Sequence, residues 1–385
     1  MKFMGYKRSD GKVGIRNYVL VLATCVCSDK LARDIAEAVE GGTFINNGFG
    51  CCQLGSDARL TKKTVVNTGI HPNVGAVLVV GLGCEGNEPL DIYNDIKAAG
   101  KTVEVITIQG EGGTLKAFAK GVSIAKKFAQ DLSLIQKVEC DMSDIILGIE
   151  CGGSDTTSGL ASNPTCGVAS DILVEKGGTS ILSETTEFIG AEHVIAKRGI
   201  NDKVSQEILD LVRECEQRAM ALGEDIRGGQ PTPGNIEGGL TSIEEKSLGC
   251  IHKSGTAPVQ SVLQYADIPA GKGLHIMDSP GQDIESITGM VAGGVQVVIF
   301  TTGRGTPTGN PLAPVIKLTG NQFTFNNMID NIDFDVSEIV SGQKTIEEMG
   351  EKLFEEIVEV CNGKITKAEA LKHREFCIYK TAPTF

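Results

Sequence analysis

GAVLVVGLGCEG, residues 75–86, decides the fold. The run Ala76–Val80 is uninterrupted and apolar, and glycines follow at positions 81, 83 and 86. A strand that is apolar on both faces belongs to a parallel sheet covered on both sides by helices. Glycines directly after it permit the tight turn into the next helix. The same alternation continues outward. On the N-terminal side, Val13–Ala23 is expected as a strand, Asp29–Glu40 as a helix, Thr43–Asn47 as a strand and Ala58–Gly69 as a helix. On the C-terminal side come a helix at Leu90–Ala99, a strand at Thr102–Ile108 and a long helix at Leu115–Leu132. This is one doubly wound α/β domain, residues 1–138.

A second series starts at the strand Ile145–Ile149. It continues with a helix at Ala169–Lys176, a strand at Ser180–Ser183 and helices across Ala191–Leu222. Arg227–Leu240 is rich in glycine and proline, a linker or a binding loop. Strands at Leu274–Met277, Val295–Thr301 and Val315–Leu318 and an amphipathic helix at Ile346–Cys361 close the chain. The fold class is α/β: two doubly wound, Rossmann-like domains with mainly parallel sheets. The second, residues 139–385, is an unusual variant and the expected catalytic domain.

The bulk properties narrow the function. The 385 residues carry a net charge of −13, against the clustered basic charge that nucleic-acid backbones require. No apolar run approaches the roughly 20 residues of a membrane span, and Met1–Lys7 has no leader-like apolar core. A cytoplasmic protein is expected, and its 12 cysteines are then not disulfides.

The cysteines are placed informatively. Cys27, Cys51 and Cys84 each follow an expected strand of the first domain, and Cys151 follows the first strand of the second. In open α/β sheets the rim at the carboxyl ends of the strands is where ligands bind, and thiolates there suit iron or zinc. The alternative is that buried cysteine is a common small hydrophobe. Residues 81–86 formally match GxGxxG, but the next strand ends in Gln109-Gly110 rather than in the acidic residue that would hold a ribose. Residues 150–155, ECGGSD, offer a thiol, a hydroxyl, two carboxylates and exposed backbone N–H groups, or else an ordinary capped turn. Arg304, between glycines at a strand end, is suited to clamp a carboxylate. Glu184 and Glu187 are metal ligands or a base, with a solvated helix start as the bland reading. For residues 245–253 a solvated charged face is the default.

Together these loops make the chain resemble the altronate/galactarate dehydratase family, which also contains the large subunit of sulfolactate sulfo-lyase. The segments are GKVGIRNYVLVL at 11–22, GCCQLG at 50–55, HPNVGAVLVVGLGCEGN at 71–87 and ECGGSDTTSGLASNP at 150–164. SETTEFIGAE at 183–192, TPGNIEGGLTSIEEKSLGC at 232–250 and TTGRGTP at 301–307 complete the set. The resemblance implies a hydro-lyase that turns a 2,3-dihydroxy sugar acid into a 2-keto-3-deoxy acid. Its alternatives are sulfite release from sulfolactate and a non-catalytic iron-binding subunit. Cys27, Cys51, Cys84 and Cys151 fall on motif cysteines of the sugar-acid dehydratases, whereas the sulfo-lyase pattern keeps only the equivalent of Cys151. Iron is the implied cofactor, as a single ferrous ion or a cluster.

The resemblance further implies a separate small subunit with a SAF-like domain, and a homodimer formed through the first domain. The implied roles are these. Cys27, Cys51, Cys84 and Cys151 hold iron. Arg304, with Ser154 and backbone N–H groups near Gly152 and Gly153, holds the substrate carboxylate. Asn163 and Asn235 contact its hydroxyls. Lys246 or Lys253 is the base once desolvation lowers its pKa. Asp155, Glu184 and Glu187 are further acid groups or ligands.

Overall fold

The computed structural model describes Met1–Phe385. Its strands are β1 (Lys2–Lys7), β2 (Val13–Gly14), β3 (Tyr18–Ala23), β4 (Gly42–Ile45), β5 (Val74–Gly81), β6 (Thr102–Thr107) and β7 (Val138–Asp141). They continue with β8 (Ile146–Cys151), β9 (Thr179–Leu182), β10 (Val259–Leu263), β11 (Gly273–Met277), β12 (Val297–Thr301), β13 (Val315–Thr319) and β14 (Phe334–Asp335). Two parallel sheets form the frame. The first has the order β4-β3-β5-β6 and the second β10-β11-β9-β8-β12-β13-β14. The α/β class with mainly parallel sheets is as expected.

Period-two alternation assigns the faces of the first sheet. Val19, Val21, Ala76, Leu78 and Val80 pack on helices Asp29–Glu37 and Thr114–Ser133. Leu20, Leu22, Val77 and Val79 point the other way. They share one core with Ile96 and Val65 of their own flanking helices, and with Met290, Val298 and Phe300 of the second unit. The two units are therefore docked through apolar side chains.

The chain ends are exchanged, which a division at residue 138 does not convey. β1 pairs antiparallel with β7, and Phe3, Val13 and Ile15 belong to the core of the second sheet. In return, Phe376 and Ile378 lie in the shared core, and the backbone N–H groups of Thr381 and Ala382 donate to Asp57 on helix Gly55–Gly69. The expected strand Val13–Ala23 is broken in two. Between its parts, Asn17 accepts from Arg8 and Arg16 pairs with Glu369 at 2.8 Å, which turns the backbone out of the sheet. β10 was not foreseen. It is an edge strand whose middle residues, Gln260 and Ser261, are polar.

In each sheet the strand order reverses between the first strand and the one that returns on its other side. These switch points lie between β3 and β5 and between β8 and β12. They place residues 24–28 beside 82–85, and residues 151–155 beside 302–306, where α/β sheets hold their ligands.

His71 fastens the two units at the opposite end. Its Nδ1 accepts the Asn73 N–H at 3.1 Å, so its Nε2 carries the proton donated to Val295 O at 2.8 Å. Asn73 Nδ2 donates across the same junction to Gln296 O and Leu312 O. Burial lowers the His71 pKa to about 3. A histidine depressed in the folded state contributes stability that is complete above its ordinary value near 6.5 and is lost as pH falls toward 3. We expect urea unfolding to show about 2 kcal/mol less stability at pH 5 than at pH 7 from this group. His71→Gln should remove that part of the slope, and an unchanged slope would assign it elsewhere.

Candidate functional site

The second switch point is built from three loops and one helix. β8 ends in Glu150 and Cys151, which alternate onto opposite faces. Gly152 is required next: a Cβ there would stand 2.5 Å from Asp283 Oδ2 and 2.9 Å from Phe300 Cζ. Gly153, at φ +60°, turns its carbonyl to accept the N–H groups of Gly303 and Arg304, tying the two loops together. After β9 the chain enters Glu184 at φ 65°, ψ 71°, a left-handed conformation that costs a non-glycine residue roughly 1–2 kcal/mol. It is held there by Ser279 Oγ, which accepts the Glu184 N–H at 2.7 Å. The 3₁₀ turn Thr185–Phe188 then presents Glu187. Helix Ile243–Ile251, capped by Ser242, runs into the turn His252–Ser254 and delivers Lys246, Cys250 and Lys253 along one face.

These side chains form one buried cluster. Glu187 is its hub. Oε1 accepts from Cys151 Sγ at 3.0 Å and Cys250 Sγ at 3.2 Å, and stands 3.9 Å from Lys246 Nζ. Oε2 pairs with Lys253 Nζ, which also donates to Glu184 Oε2 at 2.9 Å. The Cys151 N–H donates to Glu184 Oε2 at 3.2 Å. The two sulfurs are 3.7 Å apart. Lys253 is completely buried, at 0% exposure, so its charge exists only because carboxylates surround it.

The electrostatics follow from these contacts. Burial works to raise Glu187, but Lys253, Lys246 and the Cys151 contact hold it at about 2. Burial, then the charge of Glu187, push Glu184 up to about 7 despite Lys253. Burial works to lower both lysines, and the neighbouring carboxylates and thiols reverse it, so Lys253 lies well above its ordinary value and Lys246 is raised. Both lysines are held as ammonium ions, which corrects the expectation that desolvation frees one of them as a base. The solvated-face reading of residues 245–253 is corrected as well, because Cys250 and Lys253 are buried.

Other expected site residues have structural partners. Asp155 Oδ1 accepts from Thr157 Oγ1 and from the Ser158 N–H, and Oδ2 accepts from Asn321, so this carboxylate caps its own turn. Asn163 donates to Gly249 O and accepts from Thr301 Oγ1. Asn235 Nδ2 donates to Ser154 O. With these bonds both amides position loops, and Asn163 also lines the adjoining cavity. The Gly152 N–H is bonded to Thr301 O, leaving that of Gly153. A cavity of about 210 Å³ lies beside the cluster, lined by Ser154, Asp155, Asn163, Leu240, Lys246 and Cys250. Arg304 lies beyond the Asp155 turn, in a neighbouring hollow, where it is half-exposed and paired with Glu237 at 2.9 Å.

The first switch point differs. Cys27 and Cys84 are exposed and Cys51 is half-buried. None of the three joins a group of ligand atoms within 4.8 Å of one another, whereas Cys151, Glu187 and Cys250 do. The four-cysteine set is thus not assembled: Cys151 closes on Cys250, which the sequence reading passed over. Glu85 fills the GxGxxG turn itself, accepting from the N–H groups of Leu82, Gly83 and Cys84 and from Thr24 Oγ1. A pyrophosphate would find those donors taken.

The Cys151–Glu187–Cys250 group suits a borderline-soft ion such as Fe²⁺. Two thiolates on one tetrahedral ion stand roughly 3.7 Å apart if each metal–sulfur bond is about 2.3 Å. Hydrogen bonding with Cys250, then burial, keep the Cys151 thiol well above its ordinary value, so an ion would have to displace its proton.

Residues 142–384 match the family model for the C-terminal region of D-galactarate/altronate dehydratase. Residues 5–133 match that for the second domain of D-galactarate dehydratase/altronate hydrolase. The chain is 40% identical over 382 residues to the (2R)-sulfolactate sulfo-lyase subunit beta of Chromohalobacter salexigens, covering 98% of this chain and 96% of the relative. It is 32% identical to an altronate dehydratase of Bacillus subtilis, covering 99% of this chain and 78% of that protein. It is 33% identical to the L-threo-forming galactarate dehydratase of Escherichia coli, covering 99% and 77%. No helix is long and apolar enough to cross a membrane.

Proposed function

Because the chain belongs to the D-galactarate/altronate dehydratase family and is accordingly a carbon–oxygen lyase, we propose that it dehydrates a sugar acid to its 2-keto-3-deoxy product beside Lys246 and Cys250. The observation that carries this reading is the fully buried Lys253 ammonium between Glu184 and Glu187. Removing the weakly acidic proton next to a carboxylate creates a dianion, and preorganised positive charge in a dry site is what stabilises it. Lys246 brings such a charge to the cavity wall, and Lys253 keeps Glu187 ionised behind it. Lys246 is suited to protonate the departing hydroxyl. Arg304, released from Glu237, would grip the substrate carboxylate together with the Gly153 N–H.

Iron is proposed as the cofactor, with Cys151, Cys250 and Glu187 Oε1 as its holders. When bound it would supply Lewis acidity toward the substrate oxygens. Cys27, Cys51 and Cys84 are the second candidate position. A small partner subunit is also proposed, because one relative of matching length is named as a subunit beta.

That relative also supports a second reading, expulsion of sulfite from sulfolactate, since the same proton abstraction serves either leaving group. The test is an anaerobic panel of galactarate, altronate and sulfolactate, with 2-keto-3-deoxy acid and sulfite measured in parallel. Keto-acid formation from a sugar acid is expected. Sulfite from sulfolactate alone would move the assignment to the second reading.

A further inference from the structure

A second ligand group lies next to the thiol-bearing one. Glu150, Glu184 and Asp283 each place a carboxylate oxygen within 4.8 Å of the others. They come from the end of β8, from the left-handed turn after β9 and from the first turn of helix Asp283–Ala292. Glu150 is fully buried, and its two oxygens differ in fate. Oε2 accepts from Ser286 Oγ at 2.6 Å and from Ser183 Oγ at 3.3 Å. Oε1 is buried and has no hydrogen-bond partner. A buried carboxylate oxygen left without a partner is costly, and such atoms are rare in folded proteins.

We infer that Glu150, Glu184 and Asp283 form a site for a hard divalent cation of the Mg²⁺ or Mn²⁺ class, separate from the Cys151–Glu187–Cys250 group. Oxygen-only donors select such ions, whereas paired thiolates select softer ones. Glu184 Oε2 is occupied by Lys253 and the Cys151 N–H, which leaves Oε1 for the ion. Asp283 is the partly exposed member. Gly152 leaves room for the Asp283 carboxylate, since a side chain there would collide with it.

The test is Mn²⁺ binding to metal-free protein, followed by electron paramagnetic resonance. A single bound Mn²⁺ is expected, retained in Cys250→Ser and at least about tenfold weaker in Glu150→Gln and Asp283→Asn. Should Glu150→Gln fail to fold, Asp283→Asn decides, because that carboxylate is partly exposed at a helix start. No Mn²⁺ binding, or binding lost in Cys250→Ser and kept in Asp283→Asn, overturns the inference. The readout is binding, so it stands or falls independently of the lyase reading.

Discussion

Lys253→Met abolishes turnover, with kcat lower by about 10³-fold. The substitution nearly preserves volume and removes one charge from a site with no access to water. Glu184 and Glu187 then face each other without the ammonium that each of them contacts. Breaking a buried pair by deleting one partner costs about 3–5 kcal/mol, because the remaining charge stays desolvated. Glu187, now held at about 2, loses its principal opposing charge and moves up.

That shift fixes the pH signature. In the variant the carboxylates sit above their unfolded values, so stability is present at low pH and is lost as pH rises through them. The stability gap between the wild type and Lys253→Met should therefore be wide at pH 7.5 and narrower at pH 5. The His71 contribution is common to both proteins and cancels in the difference. A gap that does not change with pH would mean that Lys253 matters for packing alone.

Iron content distinguishes the two groups of cysteines. Cys250→Ser and Cys151→Ser should lose bound iron and all activity. Cys27→Ser, Cys51→Ser and Cys84→Ser should retain the metal. The asymmetry follows from the fold: Cys151 and Cys250 converge in a buried group with Glu187, whereas Cys27, Cys51 and Cys84 join no such group. Two sulfurs and a carboxylate suit one ion, whereas clusters are usually held by four thiolates, so acid-labile sulfide should be absent. Iron lost from the Cys27, Cys51 and Cys84 variants and kept in Cys250→Ser would move the metal to the first switch point.

The parallel frame was legible because its evidence is local. Ala76–Val80 is apolar on both faces and is flanked by glycine, so strand, turn and helix follow from neighbouring residues. Glu184, Glu187 and Cys151 were legible as strand-end chemistry. Their union was not, because it depends on how helix Ile243–Ile251 docks against the turn after β9. Cys250 did leave a trace: it shares with Lys246 and Lys253 a spacing of four and then three residues, one face of a helix. Reading that stretch as a solvated face let composition outweigh periodicity. Asp283 left no comparable sign. An aspartate at the first position of a helix is ordinary in sequence, and its place against Gly152 is a tertiary fact. The four cysteines were grouped by their equivalent positions in two sheets, yet equivalence within each sheet does not bring two separate rims together.

The exchanged chain ends also impose an order of assembly. Thr381 seals helix Gly55–Gly69 from 324 positions downstream. During synthesis the first sheet emerges and pairs its strands long before that seal exists. Its Leu20–Val77 face, covered so far only by its own helices, must meanwhile wait for Met290, Val298 and Phe300 to complete that core. A nascent chain in that interval presents a sticky apolar surface, the kind on which chaperones act and aggregates grow. The arrangement that makes the finished molecule hard to pull apart is thus also what makes its half-made form vulnerable.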